Sequence, residues 1–163
     1  QNMSNAFHQS PFHVRFGAMG DVAEKVFEDV FPANHRLGLN RPNLHTQSLP
    51  YIMRFLPDFL TVDGMIEVMG VGRDKTLKFK IEKMNALARW QQMAPVHLFV
   101  YDSSKKRWWI SPLEAWQEAC ISKGTIDHFD DNKKAYVKLL TDDFPSEPTK
   151  YDANAYAVHR QAQ

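Results

Sequence analysis

Apolar residues fall along this chain in two periods, one near 3.6 and one of two, and the two alternate. Val22/Ala23, Val26/Phe27 and Val30/Phe31 recur at the helical period, with Asp21 suited to a first turn, so a helix is predicted over about 18–31, stopped by Pro32. Residues 32–48 then form a long polar, basic loop. Tyr51–Leu60 and Met65–Gly70 are rich in aliphatic and aromatic residues and read as two strands, with Asp63-Gly64 between them as a two-residue hairpin turn. Thr76–Met93 keeps Leu77, Ile81, Met84 and Leu87 on one face and is predicted as a helix. Val96–Tyr101 is a continuous apolar run, expected to be a buried central strand, and Arg107–Ile110 returns beside it. Ser111-Pro112-Leu113-Glu114 has the form of a capping box opening a helix that ends near Lys123 at Gly124. Thr125–Phe129 and Ala135–Leu140 are weaker strands. The predicted fold class is α/β, a mixed central sheet flanked by helices. The expected organisation is an irregular leader over 1–16, a single domain over 17–140 and a peripheral or partly disordered tail over 141–163.

Composition narrows the classes. The 163 residues are 44% hydrophobic and 24% charged, enough for one globular core. Twenty basic residues against nineteen acidic ones exclude a polycation, so a nucleic-acid surface must be local. One cysteine, Cys120, excludes an internal disulfide framework and fits a reducing compartment such as the cytoplasm. No apolar run approaches the ~20 residues of a membrane helix, so no membrane partner is expected.

Charge is placed unevenly. Residues 30–57 contain no acid but carry His35, Arg36, Arg41, His45 and Arg54. Residues 64–90 hold six basic groups (Arg73, Lys75, Lys78, Lys80, Lys83, Arg89) against three acids, whereas 125–151 hold six acids against four lysines. Such a bias is ordinarily a solvated face; beside suitable chemistry it marks a polyanion partner.

That chemistry lies in the predicted hairpin. With Asp63-Gly64 as the turn, Asp58 falls opposite Met69 and Leu60 opposite Glu67. Side chains alternate along a strand, so Asp58, Glu67 and Met69 share one face. Two carboxylates at that range repel unless a cation lies between them, and hard oxygen ligands suit Mg2+ or Mn2+. The Val68 carbonyl, directed sideways, is a further candidate ligand.

Pro57-Asp58, the Glu67-Val68-Met69 strand, the preceding helix with Gly20 and Glu24, and the basic segment that follows resemble the PD-(D/E)xK nuclease superfamily over roughly residues 17–110, and within it small phage or bacterial resolvase-like endonucleases. The resemblance implies a restriction-endonuclease-like core in the order αβββαβ. It implies a metal-dependent DNA endonuclease with Asp58, Glu67 and Glu24 as metal ligands and catalytic residues. Arg36, Arg41, Lys75, Lys78 and Lys80 would hold the DNA backbone, and cleavage of branched or duplex DNA would favour a homodimer. The alternative is a catalytically inactive DNA-binding or assembly protein on the same fold.

The family's motif lysine is absent: its position is Met69, which has similar length but no charge and no donor. Three explanations follow. Met69 replaces a native lysine and inactivates the enzyme; the lysine has migrated to Lys75, Lys78 or Lys80; or the chain binds without cutting. The surrounding Ile66-Glu67-Val68-x-Gly70 favours the first. Other residues have structural readings. His97 is expected as a strand histidine, Trp108 and Trp109 divide between core and edge, and Cys120 is expected buried and inert.

Overall fold

In the computed structural model, residues 12–37 and 48–160 are described. Helix α1 (Phe12–Val30) is followed by the two-residue β1 (His35–Arg36) and the single turn α2 (Tyr51–Arg54). Then come β2 (Phe59–Thr61), β3 (Gly64–Val71), β4 (Thr76–Lys80), α3 (Ile81–Trp90) and β5 (Val96–Asp102). The second half contains β6 (Arg107–Pro112), α4 (Leu113–Lys123), β7 (Thr125–His128), β8 (Ala135–Leu140), β9 (Thr149–Lys150) and α5 (Ala153–Arg160). With β1 and α2 set aside, the order from α1 to β5 is αβββαβ. Among the described residues no helix is long and apolar enough to cross a membrane.

The main sheet runs β1-β2-β3-β5-β6-β9, and a smaller one runs β4-β8-β7. At the centre β3 and β5 pair in parallel over seven residues, Met65↔Val96 through Val71↔Asp102, while the flanking pairs are antiparallel. A parallel pair needs a crossover, here β4 and α3, and it is covered on both faces. On one face Met65, Val71, Leu98 and Val100 pack with Leu77, Phe79, Leu87 and Trp116 from β4, α3 and α4. On the other, Ile66, Val68, Phe99 and Phe59 pack with Ala23, Val26 and Phe27 of α1. Trp109 fills the first core, while Trp108 packs against the second beside Phe99. Cys120 is buried and its thiol is pushed up to about 11 by that burial, as an inert core cysteine would be.

Several expected elements differ. Thr76–Lys80 is a strand, not the first turn of a helix: Thr-Leu-Lys-Phe-Lys alternates with period two, Leu77 and Phe79 facing the core. Tyr51–Leu60 is not one strand, because Pro50 opens a helical turn and Pro57 delays the strand to Phe59. Helix α1 begins at Phe12, inside the expected leader, whose remaining residues 1–11 lie outside the described ones. Ser111 and Pro112 belong to β6, and no side-chain cap bond opens α4, so the capping box does not form. The segment after 140 is not peripheral. Phe144 packs edge-on against both Trp109 and Trp116, Thr149 and Lys150 pair with β6, and Tyr151 reaches Asp29 of α1. Aromatic burial ties this polar-looking tail to the core.

The hairpin turn also moves. Its central residues are Val62-Asp63, and the pairs are Thr61↔Gly64, Leu60↔Met65 and Phe59↔Ile66. Thr61 Oγ1 accepts from the Asp63 N–H and donates to the Gly64 carbonyl. Gly64 has φ +127° and its Cα is packed against the Pro95 carbonyl, so glycine is required at the start of β3 rather than inside the turn.

Candidate functional site

The one-residue displacement of the turn shifts the expected pairing register by two. Asp58, one step before the last pair, therefore faces Glu67 rather than Met69. A shift of two preserves the faces, so the convergence of the two carboxylates survives and becomes direct opposition. Asp58 sits at the entrance to β2, where its Oδ2 accepts the Val68 N–H at 2.8 Å. Glu67 is 4% exposed, on the apolar face of β3 between Met65 and Met69. A charged group there needs a partner. Helix α3 covers that face, and its Lys83 donates to Glu67 Oε1 at 2.8 Å. Glu67 Oε2 is buried with no hydrogen-bond partner.

The electrostatics share one cause. Burial pushes the Asp58 carboxyl well above its ordinary range, and the Glu67 carboxylate pushes it further. Burial also raises Glu67, against the pull of Lys83. Burial alone would lower the Lys83 amine, but Glu67 and Asp58 together raise it. Acids and amine all shift upward, which is the signature of a cluster with more negative than positive charge. One ammonium does not neutralise Asp58, Glu67 and the nearby Glu24.

Glu24, on α1, lies within electrostatic range of all three groups. Its Oε2 accepts from Arg36 Nη1 at 3.0 Å, while Arg36 Nη2 donates to Glu28 at 2.8 Å and the guanidinium lies 4.9 Å from the centre of the Phe59 ring. Arg36, expected on the DNA backbone, is thus engaged by two carboxylates of α1. Arg41 lies outside the described residues.

The Val68 carbonyl, the further candidate ligand, is not directed into the β3–β5 pairing. A residue's N–H and C=O leave a strand on the same side. Met65 N–H binds the Pro95 carbonyl on the β5 side, and Val68 N–H binds Asp58 on the opposite side. The Val68 carbonyl therefore points to the edge that lies before β2 begins at Phe59, beside Asp58.

Beyond the carboxylates a cleft of about 310 Å³ opens between Gly20 of α1, the end of β3 and β4; Val68, Met69, Lys78, Lys80 and Lys83 line it. Lys78 and Lys80 alternate with core-facing Leu77 and Phe79, which sends both to the cleft. They lie 5.6 Å from the Tyr136 and Phe129 ring centres, respectively. Lys75 is exposed in the β3–β4 turn at φ 58°, outside that lining. Met69 packs partly against the core while touching the cleft.

The residue missed in the sequence is Lys83. The signal was available: it stands four residues before buried Leu87, on the inward stripe of α3, where a lysine requires an acid.

Among the described residues no three His, Cys, Asp or Glu side chains are gathered to hold a metal ion. Glu24 is directed to Arg36 and Glu67 Oε1 to Lys83. The donor set nevertheless fits a hard divalent cation: two opposed carboxylates, an orphaned buried oxygen on Glu67 and a carbonyl directed to the same edge.

No protein-family model matches the chain, and no curated protein matches it. Among solved structures, the chain is similar to the Holliday junction resolvase Hjc of the archaeal hyperthermophile Archaeoglobus fulgidus, at 14% identity and a TM-score of 0.41, over 77% of this chain and 89% of that one.

Proposed function

We propose that this chain is a divalent-metal-dependent endonuclease of restriction-endonuclease-like fold that hydrolyses phosphodiester bonds in DNA. The observation that carries the reading is the opposed Asp58–Glu67 pair, whose partner Lys83 lines a cleft together with Lys78 and Lys80. Asp58, Glu67 and the Val68 carbonyl would hold Mg2+ or Mn2+, with Glu24 completing the set on release from Arg36. The bound ion supplies a Lewis acid for the phosphoryl oxygen and an acidified water.

The chain's own groups account for the rest. Lys83, kept charged by Glu67 and Asp58, supplies the positive charge that Met69 lacks: it donates to the attacking water and offsets charge on the phosphate. The motif lysine has in this reading moved to α3, and Met69 is compatible with activity. Lys78 and Lys80 bind flanking phosphates, and the apolar body of Met69 limits water at the cleft wall. The inactive-binder alternative draws on one observation, the engagement of Glu24 by Arg36.

Cleavage of labelled duplex and four-way-junction DNA with Mg2+ or Mn2+ tests the proposal. Product is expected from the chain as it stands, not from Asp58→Ala, and far more slowly from Lys83→Ala. Salt-sensitive binding without cleavage in any metal would favour the inactive binder, and absence of both would discard the nucleic-acid reading.

A further inference from the structure

The lysine-lined cleft is not the end of the basic surface. Lys80 also lines a second, shallower groove beside it, of about 420 Å³, bounded by Tyr51, Glu82, Asn85 and Lys134. The two depressions share Lys80, and between them they extend from Lys83, the partner of Glu67, across the start of α3 to the loop before β8. The elements that meet there are far apart in sequence: α2, the β4–α3 junction and residue 134.

The chemistry along this path changes. In the first cleft three lysines, Lys83, Lys78 and Lys80, stand against one acid, Asp74. Past Lys80 the lining offers one ammonium, Lys134, beside the phenol of Tyr51 and the amide of Asn85. The acid in the second groove's lining, Glu82, is already committed: Oε1 accepts from Arg54 at 3.1 Å and Oε2 from Lys134 at 3.0 Å. An ammonium has three donors, so this bond leaves Lys134 able to make more. Burial lowers the Lys80 amine, and Lys83 and Lys134 on either side lower it further. Lys80 is thus repelled by an amine from each depression, an effect that Glu82 and Asp131 oppose, and a phosphate beside Lys80 would relieve it.

We infer that this second groove binds the nucleotides next to the scissile phosphate on the cleaved strand, Lys80 and Lys134 taking successive phosphates and Tyr51 and Asn85 the sugar or base between them. The inference rests on the nuclease reading for its polyanion and adds the strand's path. Cations spaced along a groove with neutral donors and acceptors between them match a nucleotide chain, whose charge is on phosphates and whose bases are neutral.

Phosphate neutralisation tests it. Single methylphosphonates are placed at each position around the cleavage site of a DNA that the full chain binds, and affinity is measured for wild type, Lys134→Ala and Asn85→Asp. Lys134 and Asn85 are both exposed, and melting curves check the fold of each variant. One flanking phosphate is expected whose neutralisation weakens wild-type binding several-fold but leaves Lys134→Ala unaffected. The slope of log affinity against log salt should fall by about 0.9 in that variant on duplex. Asn85→Asp, which places a negative charge on the path, should weaken every DNA that reaches the groove. If the methylphosphonate profile of Lys134→Ala matches that of wild type, the groove is off the path and the nuclease reading stands. If wild type binds no linear or branched DNA, both fall together.

Discussion

Lys83 donates to Glu67 Oε1 across the interface between helix α3 and the central sheet, 2.8 Å apart although sixteen residues separate them in sequence. In the proposed reading this contact supplies the charge that the strand lacks at Met69. It also yields a direct exchange experiment. Lys83→Ala should lower metal-dependent cleavage by about 10²–10³-fold, the usual loss for one positioned charge at a phosphoryl or oxyanion centre. Met69→Lys alone should not raise the rate, and in the Lys83→Ala background it should restore part of it. Turnover measured on one DNA for all four proteins checks this. A large gain from Met69→Lys in the parent would instead mean that Met69 replaces a needed lysine.

Metal binding is expected to depend on the opposed carboxylates. Calorimetric titration with Mn2+ should give a binding signal in the parent that disappears in Asp58→Ala and weakens strongly in Glu67→Gln. Because Asp58 and Glu67 are held above their ordinary values, binding should release protons and tighten as pH rises. Measured heats should therefore vary with the ionisation enthalpy of the buffer.

Without metal, the same groups give the stability of the protein an unusual slope with pH. Asp58 and Glu67 have folded values above the unfolded ones of 3.8 and 4.5. A group raised on folding binds its proton more tightly in the native state. Its contribution is full below the unfolded value and is lost as pH rises through the folded one. The melting temperature in EDTA should thus fall as pH rises from about 5 towards neutrality. Asp58→Asn should flatten that fall, and excess Mg2+ or Mn2+ should reverse it. A melting temperature independent of pH in EDTA would show that the pair carries no such repulsion.

Gly64 offers a test of the hairpin geometry. At φ +127° an alanine is strained, and its Cβ would collide with the Pro95 carbonyl, which also accepts the Met65 N–H. Gly64→Ala should cost at least about 1–3 kcal/mol from backbone strain alone. Asp63→Asn, at a central turn position, should be nearly neutral. Urea denaturation of both variants distinguishes this turn from one centred on Asp63-Gly64.

Much of the site was legible because it obeys local rules. Period-two alternation put Asp58 and Glu67 on one face, and that relation is insensitive to a register shift of two. The αβ alternation predicted a mixed sheet between helices, and the apolar run 96–101 identified its central strand. Local pattern could not say which residue supplies a buried acid's partner. That depends on which helix covers the strand and on which of its faces, a consequence of the β3–α3–β5 crossover. It likewise could not foresee that Arg36 would be held by Glu24 and Glu28, or that Phe144 and Tyr151 would fasten the tail. The sequence by itself determined which residues could be charged, apolar or extended, because those properties are intrinsic or nearest-neighbour. The tertiary structure alone decided which charges meet. Burial of Glu67 makes its pairing obligatory, and only packing brings Lys83 within reach to meet it.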